Sequence, residues 1–490
     1  MEVRRAIHFA FRLPGACVFC AALALAATPG SALGQVSNPS SAANPFYGSV
    51  TAHPATDATL QLSLDEAVRR GLENNLGLIE AESGEKLVKG EKSEALQEFL
   101  PTISVSGGTG VFQHNLAALG FGPGTIGQFK SLFPGGVPPA GLSDITRDDL
   151  TQGQIGYNQI LFSGPVISGW KAAGAAERSA YFAKMSARGE VVQQVASAYL
   201  HVIAAASEVD DATSLEQADR VLFDQAHAAH EAGTAANLDE LRAKVQLQAQ
   251  EQSVIAAQNA LDKDLILLKR EIGIDPGQKI VLTDAAPYTD LAAQTPEEVR
   301  AVAYRNRQDY QNLQNQLVEV KAIHAVYRNQ RLPTLTFGGY WGVDKVNSSV
   351  SHGTFAAIGT LSFPLFAEAR LRGDEESAAA QLASVNSQLA DLRGHIDQQV
   401  RSALLDVDAA GKLVTVARSN VDLATRALSD ETDRVNAGVD DNLPLVDAQA
   451  TLASAQSNLV ESLYQYNLSK LALARSAGVL EQQYRVYLGR

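Results

Sequence analysis

The chain has 490 residues, and its 54 Asp and Glu against 40 Lys and Arg leave a formal net charge of −14, a balance that argues against a nucleic-acid partner. The two cysteines, Cys17 and Cys20, both fall in the first few dozen residues. If that stretch is removed on export, a disulfide framework, a zinc–thiolate site and a cysteine nucleophile are excluded together.

Residues 1–34 read as a secretory signal peptide. Arg4, Arg5 and Arg12 precede an Ala-rich apolar run from Ala16 to Ala27, and Ala32 and Gly34 suit a cut before Gln35. The run is too short to span a membrane, and no lipid anchor is expected at either cysteine. After it no apolar run approaches the 18 to 20 residues of a spanning helix; the richest, Val195 to Ala206, contains His201. An exported chain of this kind is periplasmic, extracellular, or crosses a membrane by β-strands, the other solution that satisfies every backbone polar group.

The remainder is a tandem duplication. A shift of 232 residues places Leu100-Pro101-Thr102 on Leu332-Pro333-Thr334 and Asn74 on Asn306; a shift of 205 places Ala232-Gly233 on Ala437-Gly438, Asn237-Leu238 on Asn442-Leu443 and Gly273 on Gly478. The loop from about Val111 to Leu150 supplies the difference. Each copy reads helix, strand, loop, strand, very long helix, tight turn, helix. The opening helix, roughly Leu64 to Phe99, stops at Pro101, which cannot continue it. Strands follow at about 102–112 and 153–163, and in the second copy at about 334–343 and 354–364, marked by β-branched and aromatic residues between Gly and Pro. Four strands per chain is the expected count.

Pro165 and Pro364 mark the return to helix. The next segments, about 167–231 and 370–436, lack proline, so each helix would run roughly 65 residues, on the order of 100 Å. Gly233 and Gly438 suit a left-handed cap, and return helices follow at about 238–272 and 443–477, with Asn237 and Glu240 as an expected capping pair. Leu247, Val254, Leu261 and Leu268, matched by Leu452, Leu459, Tyr466 and Leu473, form a heptad stripe that calls for coiled-coil packing. The resulting organisation is a signal peptide (1–34), an N-terminal periplasmic segment (35–62), a first repeat (63–273), an equatorial linker (274–294), a second repeat (295–480) and a C-terminal tail (481–490).

With this layout, the stretches Arg331-Leu332-Pro333-Thr334-Leu335, Ile160-Leu161-Phe162-Ser163-Gly164-Pro165 and Ala437-Gly438 followed by Asn442 to Gln449 resemble the TolC family of outer-membrane efflux proteins, over nearly all of the chain beyond the signal peptide. The resemblance implies a homotrimer: a 12-stranded outer-membrane β-barrel continued by a periplasmic α-helical barrel of coiled coils. It implies an exit channel of a tripartite efflux or type I secretion system, meeting a periplasmic adaptor and an inner-membrane transporter such as an RND pump or ABC exporter, and no cofactor. The residues also require pooled strands, since four strands cannot close a barrel and open edges in lipid leave N–H and C=O groups unpaired. Tyr157, Phe162, Tyr340, Trp341 and Phe363 are the expected contacts with outer-membrane lipid at the interfaces, and the Gly- and Pro-rich stretch 120–141 would be an extracellular loop.

No catalytic constellation accompanies this layout. His227 and His230 have helical i,i+3 spacing, better read as a solvated face than as a metal pair, and Gly120 to Gly124 lies between strands rather than at a phosphate-binding strand-to-helix turn. By resemblance, Asp239 and Asp447 fall where the family's periplasmic mouth carries aspartates. Pro444, Asp440 and Val435 depart from the family's Asp–Arg–Tyr latch, leaving Arg434 and Asp440 as candidates for a rearranged network. The tips Ala232, Gly233, Thr234 and Ala437, Gly438, Val439 are the expected adaptor contacts, their small side chains admitting a partner hairpin. The rival reading is a soluble periplasmic coiled-coil scaffold or adaptor, which would not need strands at matching places in both copies.

Overall fold

Backbone chemistry at two positions divides each opening helix in two. The computed structural model describes residues 41–50, 54–115, 145–233, 236–284, 288–347, 349–437 and 442–489; the expected signal peptide lies outside them. Helix α1 spans Leu64–Asn74 and α2 spans Leu76–Gln97, where one helix from Leu64 to Phe99 was expected. The break is Asn75, extended at φ −66° and ψ 130°, whose side chain accepts from Gly77 N (3.0 Å) to cap α2. Its Nδ2 donates to Phe46 O (2.7 Å), and Val50 N donates to Asn74 O (2.9 Å), so an N-terminal segment is threaded across the break. The second copy breaks at the matching residue: Arg307, φ −64° and ψ 122°, separates α5 (Pro296–Asn306) from α6 (Gln308–Asn329). There the guanidinium takes over, donating to Asp309 (2.6 Å), Gln399 (2.6 Å) and Ser476 O (3.3 Å).

Past Pro101 the chain forms β2 (Thr102–Asn115) and β3 (Ile145–Phe162), and past Pro333 β5 (Thr334–Val346) and β6 (His352–Ser362). All pairings are antiparallel in the order β2-β3-β5-β6. Strand β3 starts at Ile145 rather than near 153 because its first residues continue the ladder with the end of β2, Ile145 opposite Asn115. The loop stretch 120–141 lies outside the described residues.

The long helices are α3 (Gly164–Glu231, 68 residues) and α7 (Glu368–Asn436, 69 residues); the return helices are α4 (Asn237–Ile272) and α8 (Asn442–Ser476). Helix α3 begins with Pro165 in its first turn, where a missing N–H costs nothing. No member of the heptad stripe on α4 and α8 is exposed, and Leu268 and Leu473 are fully buried. Gly273 and Gly478 end the return helices at φ 74°, the left-handed cap that spares a Cβ.

The largest core lies where these helices meet, built on Val191, Val195, Tyr199, Leu268, Ile272, Ile396, Val400, Leu471 and Leu473; each such burial contributes about 1.5–3 kcal/mol. A parallel pair closes it: β1 (Leu60–Leu62) lies against β4 (Ile280–Leu282), so the linker carries a strand. Tyr199 OH donates within 2.9 Å of Leu62 O and 2.8 Å of Asp284 Oδ2, and Asp284 also accepts from Leu64 N (2.8 Å) at the start of α1. Further along the linker, buried Lys470 donates to Thr289 O (3.2 Å) over the Tyr466 ring. The tail is largely helical, α9 (Leu480–Tyr487), and Tyr484 and Arg485 both reach Asp65.

Candidate functional site

Two regions can act on other molecules: the four-stranded sheet and the turns of the helical hairpins. In the sheet, alternation sorts side chains by chemistry. Val105, Ile155, Trp341 and Phe355 stand in register across all four strands and all are exposed. The neighbouring row on the other face is Ser106, Gln154, Gly342 and Thr354, and the next but one is Gly108, Gln152, Asp344 and His352. An exposed apolar face backed by a polar one suits a sheet between lipid and water. Among the described residues β2 and β6 pair on one side only, which leaves two edges to be met by other strands.

The interfacial aromatics divide under this geometry. Tyr157 packs edge-on to Phe337 (5.8 Å between ring centres) and shares the apolar face with Trp341. A bulge between Ile160 and Phe162 sets Phe162 opposite Leu335, on that same face. Phe363 is exposed just past β6. Tyr340, next to Trp341, points to the polar face with Ser104 and Ala356, so strand alternation separates it from the lipid-facing set.

At the opposite end of the long helices, Ala232 and Gly233 turn the first hairpin, exposed, with Gly233 at φ 72°. Ala437 is exposed at the second turn; Thr234, Gly438, Val439 and Asp440 lie outside the described residues. The expected Asn237–Glu240 capping pair does not form. Ala236 is the cap residue, without a side-chain bond, and Asn237 is already helical. Glu240 turns instead to α3, its Oε1 2.8 Å from His227 Nδ1 and its Oε2 3.8 Å from His230 Nε2. That bond to Glu240, with the Glu231 charge, raises the His227 pKa above the ordinary imidazole value.

Two of the charged candidates at the mouth have a partner on their own helix. Asp239 lies 3.7 Å from Arg242 on α4 and Arg434 lies 3.6 Å from Glu431 on α7, while Asp447 is exposed near the start of α8. An apolar cluster joins the two hairpins here: Leu222 and Ala226 of α3, Ala243 of α4 and Leu445 of α8 are buried together, with Phe223, Leu428, Val435 and Val446 packed against them. Val435, noted in the sequence only as a departure from the latch, belongs to this seam. Its signal was present as apolar residues at helical spacing on both sides of each turn, but which helix they face depends on how the hairpins dock.

A family model for outer membrane efflux proteins matches residues 68–273 and 299–479. The chain belongs to that family. Its two matched segments are the two copies of the duplication. The fold is that of solved channels: a membrane protein from Pseudomonas aeruginosa (18% identity, 88% of this chain and 98% of that one, TM-score 0.72), the Campylobacter jejuni CmeC outer membrane channel (13%, 89% and 92%, 0.72) and the open state of the Neisseria gonorrhoeae MtrE outer membrane channel (16%, 88% and 95%, 0.69). No curated protein matches the sequence significantly. The protein is thus an outer-membrane efflux channel of the tripartite type with a periplasmic helical extension, in a family that works as trimers and is not enzymatic. Among the described residues no helix is long and apolar enough to cross a membrane.

Proposed function

We propose that three copies of this chain pool their sheets into a 12-stranded barrel whose helical extension is closed at the periplasmic mouth by the apolar seam between the hairpins. The observation that carries this reading is the buried cluster of Leu222, Ala226, Ala243 and Leu445 a few turns from the tips. Opening the mouth separates the hairpins and exposes that cluster, so burial favours the closed state. Solutes then diffuse through a water-filled conduit, and the driving energy comes from an inner-membrane transporter, an RND pump or an ABC exporter, coupled through a periplasmic adaptor.

Asp239, Asp447 and Asp440, repeated by the threefold axis, would line the mouth and favour cations, with Arg434 as the opposing charge. The tips Ala232, Gly233, Thr234, Ala437, Gly438 and Val439 are where the adaptor would dock, since small side chains let a partner hairpin approach closely. Planar-bilayer recording of the extracted trimer tests the gate: Leu445→Asn should raise conductance severalfold, and Asp447→Ala should weaken cation preference. Wild-type conductance in Leu445→Asn would sink the seam as gate. Cross-linking from Ala232 and Ala437 to the adaptor in an assembled pump tests docking, and its absence counts against the tips.

A further inference from the structure

Asp219 lies on α3 one helical turn from Leu222 and Phe223, on the side away from the tip, and is only 2% exposed. Its carboxyl is hydrogen-bonded by the Gln246 side chain of α4, and its Oδ1 meets no donor among the described residues. The 205-residue offset places Ala424 at the same position in the second hairpin, inside a layer of Ala424, Leu452 and Ala455. One hairpin is therefore apolar where the other buries an acid.

Helix α8 carries a second buried acceptor. Gln449 of α8 is 6% exposed, and its Oε1 also lacks a partner. Helix α3 runs toward its turn and α8 runs away from its own, and Leu222 and Leu445 share the seam. Asp219 precedes the first by three residues and Gln449 follows the second by four, so both stand about one turn beyond that contact on antiparallel helices. Asp219 Oδ1 and Gln449 Oε1 are both buried acceptors without a donor among the described residues. A proton on Asp219 turns its carboxyl into a donor as well as an acceptor.

We infer that Asp219 is a proton-operated catch on the mouth, seated in the closed seam when its carboxyl is neutral and driving the hairpins toward a hydrated, open arrangement when ionised. The inference rests on the seam being the gate. Toward the tip of the same hairpin stand exposed Asp224 and the His227–Glu240 pair (2.8 Å). On α3, Arg220 faces outward to Glu216 (2.5 Å) and Glu251 (3.2 Å); on α4, Lys244 is exposed and Arg242 pairs with Asp239; α8 carries no charged residue between Asp447 and Glu461. Burial, only partly offset by the Gln246 bond, pushes the Asp219 pKa up to about 6. A carboxyl raised in the closed state favours closure below its ordinary value of 3.8, and that preference is lost as pH rises through about 6. The periplasm equilibrates with the medium, so this window is one the channel meets.

The test is conductance of the extracted trimer in planar bilayers from pH 5 to 8, for wild type, Asp219→Asn and Asp219→Ala, the last matching Ala424. Wild-type conductance should rise at least tenfold across the window with a midpoint near 6, since each unit of pKa difference is a factor of ten in the closed-to-open ratio. Both variants should stay low and flat, and heat-modifiable gel migration shows whether each has assembled. A flat wild-type profile, or the same pH response in whichever variant assembles, overturns the inference. Leu445→Asn separates the two levels: if it raises conductance while the Asp219 variants keep the wild-type slope, the catch fails and the gate stands. If Leu445→Asn changes nothing, the gate itself fails.

Discussion

Three glycines share one backbone conformation but not one environment, and this separates conformational strain from crowding. Gly233, Gly273 and Gly478 have φ of 72°, 74° and 74°. An alanine at any of them adopts a left-handed conformation at about 1–2 kcal/mol. At Gly233 an added Cβ meets nothing within 4 Å. At Gly273 it would stand 2.6 Å from Asn74 Cβ and 2.8 Å from Val50 O, and at Gly478 2.6 Å from Arg307 N and 2.8 Å from its Cα. Those atoms belong to the breaks in the opening helices, which the N-terminal segment and the Arg307 network hold in place, so relief requires backbone movement worth about 1–3 kcal/mol more. Gly273→Ala and Gly478→Ala should therefore lose about 2–5 kcal/mol, a large share of an ordinary stability of about 5–15 kcal/mol, while Gly233→Ala loses about 1–2 kcal/mol. Denaturant midpoints of the extracted protein, with the fraction assembled as trimer, read this out. Equal loss in Gly233→Ala and Gly478→Ala would refute crowding as the cause.

Two further expectations concern the core between the long helices. Tyr199→Phe deprives Leu62 O and Asp284 of a buried donor and should cost about 2 kcal/mol; a double-mutant cycle with Asp284→Asn should show coupling of about 1 kcal/mol, and strict additivity would mean the bond contributes little. Glu271 is fully buried with one bond from Gln194 (2.8 Å), and burial raises its pKa from 4.5 to about 8. Its contribution is complete below pH 4.5 and is lost as pH rises through about 8, so Glu271→Gln should gain stability relative to wild type over that interval, by on the order of a few kcal/mol at its upper end. A difference that does not vary with pH would contradict the assignment.

The duplication, the strand positions and the two very long helices were legible because each is written locally. Proline ends α2 before Pro101 and starts α3 at Pro165, glycine turns the hairpin at Gly233, and the heptad leucines recur whatever the chain packs against. The apolar face of the sheet was half legible: alternation is in the sequence, but only the pairing register aligns Val105, Ile155, Trp341 and Phe355 in one row and turns Tyr340 away from it. The break at Asn75 was missed because Asn inside a helical pattern is permissive, and what selects its extended conformation is an N-terminal segment some thirty residues earlier.

The mouth shows the same division more sharply. Asn237 and Glu240 have the spacing of a capping pair, yet Glu240 is drawn across the hairpin to His227, a contact that exists only once α3 and α4 lie side by side. Val435 and Leu445 are ordinary apolar residues until the two hairpins dock, and Asp219 is an ordinary helical aspartate until the folded hairpin, with Gln246 of α4 beside it, removes it from water. The sequence by itself determined the elements, their order and their repetition, because helix ends, turns and strand alternation depend on neighbours a few residues away. Tertiary structure alone decided which faces meet and which acids lose their water, because burial and desolvation depend on helices that lie side by side only once the chain has folded.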